Sequence, residues 1–211
     1  MRGGNALKTI LQSAAIVALV FISPRQLRAQ EVGAYFGVGG AYASSNGAHI
    51  ETFSDGNLYK TPSLNGVFGD AAMDVLFTRH IGAGANISWR FAGGDYAAIP
   101  YRPYFYNIDA IYRFSTFAAK RLFPEVRGGL GGARLRFTPS DDLSCAQVPG
   151  CQQSNHFQQH LAIAVRWYGT EHFFIRPAFD LHHVNNFVEF GSNWVPEYFI
   201  AIGYSIGRRD R

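Results

Sequence analysis

The chain has 211 residues, and its 19 lysines and arginines outnumber its 15 aspartates and glutamates, a formal charge of +4. Four of those cations (Arg2, Lys8, Arg25 and Arg28) fall within the first 29 residues, so the rest of the chain balances at 15 of each sign. The basic excess therefore belongs to one terminal segment, which excludes a nucleic-acid reading built on a basic patch.

That segment has the order of a secretory signal peptide. Arg2 and Lys8 precede an apolar run from Thr9 to Ile22, and Ser23, Pro24 and Arg25-Gln-Leu-Arg-Ala29 follow. Cleavage is expected near Ala29, leaving residues 30–211 as one domain. The run is short of the ~20 apolar residues that a membrane-spanning helix needs.

From Glu31 onward the pattern is period-2 alternation, the signature of strands. The first segment, Glu31 to Ser45, is rich in Gly and Ala and alternates weakly. The second sets Val67, Gly69, Ala71, Met73, Val75 and Phe77 against Phe68, Asp70, Ala72, Asp74 and Leu76. The third sets Ala83, Ala85, Ile87, Trp89 and Phe91 against Gly84, Asn86, Ser88 and Arg90. In the fourth, Tyr104, Tyr106, Ile108, Ala110, Tyr112 and Phe114 oppose Asn107, Asp109, Arg113 and Ser115. The fifth sets Val126, Gly128 and Leu130 against Glu125, Arg127 and Gly129. Cys145 and Cys151 then flank a turn-prone Val-Pro-Gly, and after export a disulfide between them is expected.

Three segments remain. Leu161, Ile163, Val165 and Trp167 oppose His160 and Arg166; Phe173, Ile175, Pro177, Phe179 and Leu181 oppose Arg176, Asp180 and His182; Tyr198, Ile200, Ile202, Tyr204 and Ile206 oppose Glu197, Ala201, Gly203 and Ser205. The fold expected is all-β: an eight-stranded antiparallel up-and-down barrel whose strands are near the ~9–11 residues needed to span a bilayer.

Whether the apolar face points outward at lipid or inward at a ligand decides between a transmembrane barrel and a soluble lipocalin-like binder. Short links around 78–81, 116–121 and 169–172 alternate with long ones at 46–66, 93–103, 138–156 and 185–196. All short turns therefore lie at one end, the outer-membrane pattern. Aromatics such as Phe77, Phe91, Tyr104, Phe114, Trp167, Phe173 and Tyr198 sit near strand ends, as interfacial girdles require. The polar face carries Arg90, Arg113, Arg127, Arg166 and Arg176 against Asp70, Asp74, Asp109, Glu125 and Asp180. With His160 these form the expected lumen charge network. Counting back from the centre of each short turn sets Asp70 against Arg90, Asp109 against Arg127 and His160 against Asp180.

The leader, eight strands, short turns and charged inner face resemble the OmpA-type family of small outer-membrane barrels over Glu31 to Ile206. The resemblance implies an outer-membrane location, long loops outside, termini in the periplasm, insertion by the barrel assembly machinery, and contact with outer-membrane lipid and lipopolysaccharide. Such barrels usually finish on an aromatic residue, whereas here Tyr204 and Ile206 are followed by Gly-Arg-Arg-Asp-Arg. A monomer is expected, because a closed barrel has no free edge that demands a partner.

The expected function is a structural or surface-interaction role with the lumen plugged by paired charges, since eight strands leave an interior just wide enough for side chains. The alternatives are a narrow pore, a lipid A-modifying enzyme and a soluble binder. The lipid A deacylases use His, Ser and an acidic residue near a strand end, and residues 181–189 (Leu-His-His-Val-Asn-Asn-Phe-Val-Glu) resemble that region. Val184 stands where a nucleophilic Ser is wanted and has no hydroxyl to attack an ester. Ser192 lies in the following loop, so no catalysis is expected. Neither a cofactor nor a metal is expected. His160, His182 and Asp180 are too loosely spaced to signal a metal site. In the loops Phe53, Tyr59, Lys60, Pro62, Tyr96, Tyr101 and Arg102 are suited either to contacts or to packing over the barrel mouth.

Overall fold

The computed structural model of the chain describes residues 31–43, 45–51, 56–96, 99–115, 121–138 and 153–207. The leader, Phe53, Cys145, Cys151 and the residues after Gly207 lie outside them, and the expected cleavage and disulfide with them. Eight long strands carry the alternating segments: β1 (Glu31–Ala41), β4 (Gly66–Leu76), β5 (Ile81–Arg90), β7 (Ile99–Arg113), β8 (Leu122–Phe137), β9 (Gln153–Tyr168), β10 (Phe173–Val184) and β11 (Trp194–Gly207). Short strands β2 (His49–Ile50) and β3 (Tyr59–Lys60) pair with each other, and β6 (Gly94–Tyr96) pairs with the start of β7. Each long strand pairs antiparallel with its neighbour in sequence order. β1 closes the ring by pairing with both β4 and β11, from Glu31↔Gly207 to Ala41↔Glu197 on the β11 side.

Burial decides the face question. Phe36, Met73, Ile108, Leu130, Leu161, Ile163, Ile200 and Ile202 point outward and are exposed, while Asp74, Asp109, Glu125, Arg127, Arg166 and Arg176 point inward and are buried. No helix among the described residues is long and apolar enough to cross a membrane; the strands do so. On β7 the outward apolar run goes from Tyr104 to Phe114, ten residues on. At ~3.3 Å per residue and a tilt near 40° this is about 25 Å, the height of an outer-membrane apolar band.

Strands β7, β8 and β9 are longer than the bilayer needs, at 15, 16 and 16 residues. The links read as long loops at 93–103 and 138–156 are thus partly strand. Above the band the alternation continues with its polarity reversed. Ile99, Tyr101, Ala133, Leu135 and Phe137 are buried inside, whereas Arg102, Arg134, Arg136, Gln153 and Asn155 are exposed outside. The barrel is therefore lipid-facing below and water-facing above.

Two short turns are built alike. Thr78 Oγ1 accepts from the backbone N–H of His80 and of Ile81, and Thr170 Oγ1 accepts from that of His172 and of Phe173. His80 Nδ1 then meets the Arg113 carbonyl at 2.8 Å and His172 Nδ1 the Ser205 carbonyl at 3.0 Å. His80 lies against Tyr112, and His172 against Tyr204. Every matched position is 92 residues on, as Thr170 is from Thr78. The strand registers agree: Leu76↔Gly82 maps to Tyr168↔Phe174, and Ile81↔Tyr112 to Phe173↔Tyr204. The unit β4–β5–β7 thus recurs as β9–β10–β11 half a turn around the barrel.

Ile108, mid-band and 74% exposed, separates the two orientations. Ile108→Arg should cost about 2–4 kcal/mol in a bilayer, as a cation at the midplane does. The Asn155→Arg change above the band should cost less, about 0.2–1 kcal/mol, from its like-charge pairing with Arg134 across the ladder. Equilibrium denaturation in liposomes measures both.

Candidate functional site

Because Cβ atoms alternate across a strand, every second residue of all eight strands enters one narrow lumen. What fills it falls into three layers.

At the short-turn end lies a lattice of arginines and carboxylates. Arg113 grips Glu31 with both terminal nitrogens, at 2.6 and 3.1 Å. Arg127 does the same to Asp74 at 2.9 and 3.0 Å, and reaches Glu125 at 2.8 Å. Arg166 donates from Nε to Glu125 at 2.8 Å and from Nη2 to Asp74. Arg176 donates from Nε to Glu125 at 2.7 Å. Glu125 thus accepts from three arginines. Aromatic faces complete the packing: Arg127 and Arg176 lie 5.4 and 4.7 Å from the Tyr35 ring, and Arg166 lies 4.9 Å from Phe174. Planar guanidinium groups suit both partners, the carboxylate by its fork and the ring by its face.

The middle layer is acidic with histidines. His160 meets Asp109 at 2.8 Å from Nδ1 and Asp180 at 3.3 Å from Nε2. His182 meets Glu197 at 3.3 Å, and Ser88 donates to the same carboxylate at 2.9 Å. The two imidazoles stack, centroids 4.8 Å apart, and Phe105 also stacks on His182 at 5.1 Å. Stacking keeps their nitrogens from converging on one point, and no group of three metal-ligating side chains occurs among the described residues.

The upper layer is apolar. Leu64, Phe68, Tyr101, Phe105, Val184, Phe187, Phe190 and Val195 form one buried cluster. A single 3-10 turn, Val188–Phe190, places Phe187 and Phe190 in the mouth. It is fastened by Glu189, whose Oε1 accepts from Ser154 at 2.6 Å and contacts His156 Nε2 at 3.0 Å. Burial pushes the Glu189 carboxyl up, but hydrogen bonds from His156 and Ser154 outweigh it and hold it below the ordinary value of 4.5. Ser154, His156 and Glu189 are the residue types of a hydrolytic triad without its order. Serine and carboxylate share one histidine nitrogen, and the serine proton goes to the carboxylate, whereas a triad orients the far nitrogen with the acid.

The structure brings together most residues singled out in the sequence, on pairings different from those counted out. Asp70 stands across from Ser88, and Arg90 from Phe68. Asp109 stands across from Gly129, and Arg127 from Ile111. His160 stands across from His182 and reaches Asp180 diagonally. Arg90 is outside the lattice: at the mouth, it donates to the Tyr101 hydroxyl at 3.2 Å. Neither oxygen of Asp70 has a hydrogen-bond partner among the described residues. His183 lies outside against Trp194, 4.5 Å between centroids. Val184 is in the plug, and Ser192 Oγ donates to the Trp194 carbonyl. Tyr96 and Tyr101 pack inward rather than toward solvent. The sequence reading missed Glu31, the role of Glu197, and Ser154 and His156. The last two were hidden because 138–156 reads as loop.

No protein-family model matches the chain, and no curated protein matches it. Its fold matches solved structures of small outer-membrane barrels. Neisserial surface protein A superposes with a TM-score of 0.55 at 13% identity, covering 84% of this chain and 97% of that one. The outer membrane protein OprG of Pseudomonas aeruginosa gives 0.55 at 14%, covering 85% and 97%. Ail, the attachment invasion locus protein of Yersinia pestis, solved with the heparin analogue sucrose octasulfate, gives 0.53 at 11%, covering 83% and 98%. The likeness is one of fold, and the class it defines is the small eight-stranded outer-membrane β-barrel.

Glu125→Ala should destabilise the barrel by about 3–5 kcal/mol, because it leaves three arginines facing one another without their shared carboxylate. Denaturation midpoints of refolded protein report this. The Glu189 latch has the opposite reach. With its carboxyl held down in the folded state, the stability it adds is complete above pH 4.5 and lost as pH falls through the lower folded value. Hydrogen-exchange protection at residues 187–191, taken relative to the intrinsic rate at each pH, should therefore fall in acid, and Glu189→Gln should leave that protection independent of pH over the same range.

Proposed function

We propose that this chain is an integral outer-membrane protein with a structural or surface-interaction role, its barrel a closed mount for the long-loop end and not a channel or an enzyme. One observation carries the reading: among the described residues the arginine–carboxylate lattice, the stacked histidine layer and the apolar plug lie buried one above another in the lumen. Buried, mutually bonded charges hold these side chains in place across the bore. The order of Ser154, His156 and Glu189 speaks for fastening rather than ester chemistry.

On this reading residues 1–29 are a leader removed on export, 30–211 are the barrel domain, and Cys145 and Cys151 tie one outer loop. The barrel assembly machinery inserts the chain as a monomer, among outer-membrane lipid and lipopolysaccharide. Purified protein in planar bilayers tests the plug. Wild type should give no steady conductance, whereas a Phe187→Ala, Phe190→Ala, Glu125→Ala variant should give transient openings. Stable single-channel currents from wild type would instead favour a narrow pore.

A further inference from the structure

Above the apolar band the outer wall carries a concentration of positive charge that the lumen chemistry does not use. The β7–β8 register sets Arg102 directly opposite Arg136, and Arg134 opposite Tyr104 on the same face. All three arginines are exposed. Like charges directly opposed across a ladder destabilise it, yet none of the three has a carboxylate partner among the described residues. Arg134 bonds to the Gln153 side-chain oxygen and Arg102 to the Phe91 carbonyl, both neutral. The next strand adds only amides, with Gln153 opposite Arg136 and Asn155 opposite Arg134. The patch thus holds three cations and neutral amides on one outer face, with a single exposed carboxylate, Asp95 opposite Pro100, at its β6 edge among the described residues.

Its height fixes what it meets. Directly below, on the same outer face, lie Tyr106, Ile108, Leu130 and Phe157, all exposed to hydrocarbon. The Tyr106 ring lies across Gly132, where any side chain would displace it. Arg134 is two residues above that glycine on β8, and Arg102 is two above Tyr104 on β7. Two residues along a tilted strand rise about 5 Å, so the guanidinium groups lie in the headgroup zone of the leaflet at the long-loop end. Their aliphatic stems can bend toward that zone while the charges stay wet.

We propose that Arg102, Arg134 and Arg136, with Gln153 and Asn155, form a binding site for the phosphate groups of an outer-leaflet glycolipid, the phosphorylated diglucosamine of lipopolysaccharide. Unopposed arginines suit phosphate oxygens because the guanidinium fork binds them in pairs. A bound phosphate also removes the cross-strand repulsion, so the site is completed by its ligand. The proposal rests on the outer-membrane reading above and adds the residues and headgroup chemistry to it.

The test uses the full-length mature protein refolded in detergent micelles. Affinity for phosphorylated lipid A is compared with that for lipid A stripped of phosphate, for wild type and for an Arg102→Gln, Arg134→Gln, Arg136→Gln variant. A control variant, Arg79→Gln with Arg121→Gln, alters cations at the other end. At roughly a factor of five per arginine near an anionic surface, the triple variant should bind phosphorylated lipid A on the order of 100-fold more weakly. The control should match wild type, and the stripped lipid should not distinguish the two. Equal binding of phosphorylated lipid A by wild type and the triple variant overturns the site. So does indifference of wild type to the phosphates. A protein that stays soluble and shows no heat-dependent gel shift would sink the outer-membrane reading itself, a result distinct from all of these.

Discussion

Everything in this molecule follows from one requirement: inside hydrocarbon, each backbone N–H and C=O must find its partner within the protein. With eight strands the solution is a ring without edges, and the pairing of β1 with both β4 and β11 supplies it. Closure at eight then sets the bore, and the bore leaves side chains no room to be hydrated separately. The ladder lapses between β9 and β10, where the pairing skips Arg176 and Pro177. Proline has no N–H to give. Outside that lapse an apolar groove of about 440 Å³ opens between β8, β9 and β10, lined by Phe114, Val126, Ile163, Val165, Pro177 and Phe179. It lies on the outward, apolar face of the barrel.

The same covalent strand solves two opposite solvent problems. In the bilayer the outside must be apolar, so polarity moves inward and has to be neutralised there, which the arginine forks on Glu31, Asp74 and Glu125 do. Above the bilayer the outside meets water, and the inside can be an ordinary apolar core. The reversal on β7 comes between Phe105, the lowest aromatic of the plug, and Asn107, which bonds to Asn86 and to Gln158. The plug is thus a small soluble-type core set on a membrane barrel, anchored by the polar contacts of Glu189.

Much of this was legible in the sequence because outward positions are simple. A lipid-facing residue needs only to be apolar, and period 2 reveals it, as Tyr106, Ile108, Ala110 and Tyr112 show on one strand. Register was less legible, since the partner of a residue is found by reflection through the turn centre. An error of one residue in the centre moves every partner by two. The Thr78 hydroxyl tightens its turn by accepting from His80 and Ile81, and Asp70 therefore faces Ser88 instead of Arg90. The mouth was illegible for another reason. Its strands keep period 2 but exchange faces, so Ile99 to Pro103 and Gln153 to His156 look like loop to a rule that expects one apolar face throughout. Residues 181–189 resemble a deacylase region in sequence, yet Val184 and Phe187 are buried in the mouth cluster.

The repeated three-strand unit shows how far the inner and outer demands are independent. Outward positions tolerate repetition: Tyr106, Ile108 and Tyr112 on β7 match Tyr198, Ile200 and Tyr204 on β11, because two sides of a barrel face the same lipid. Inward positions do not. Residues related by half a turn face each other across a narrow bore, so identical charges there would repel at close range in a medium that screens them poorly. Asp74 and its counterpart 92 residues on, Arg166, are of opposite sign, and the two are bonded to each other. Ser88 corresponds to Asp180, Asp109 to Ala201 and Gly84 to Arg176, none a repeated charge. A scaffold with near two-fold symmetry can therefore enclose ionised groups only if its interior sequence breaks that symmetry, and in this chain the break occurs at the positions that fill the lumen.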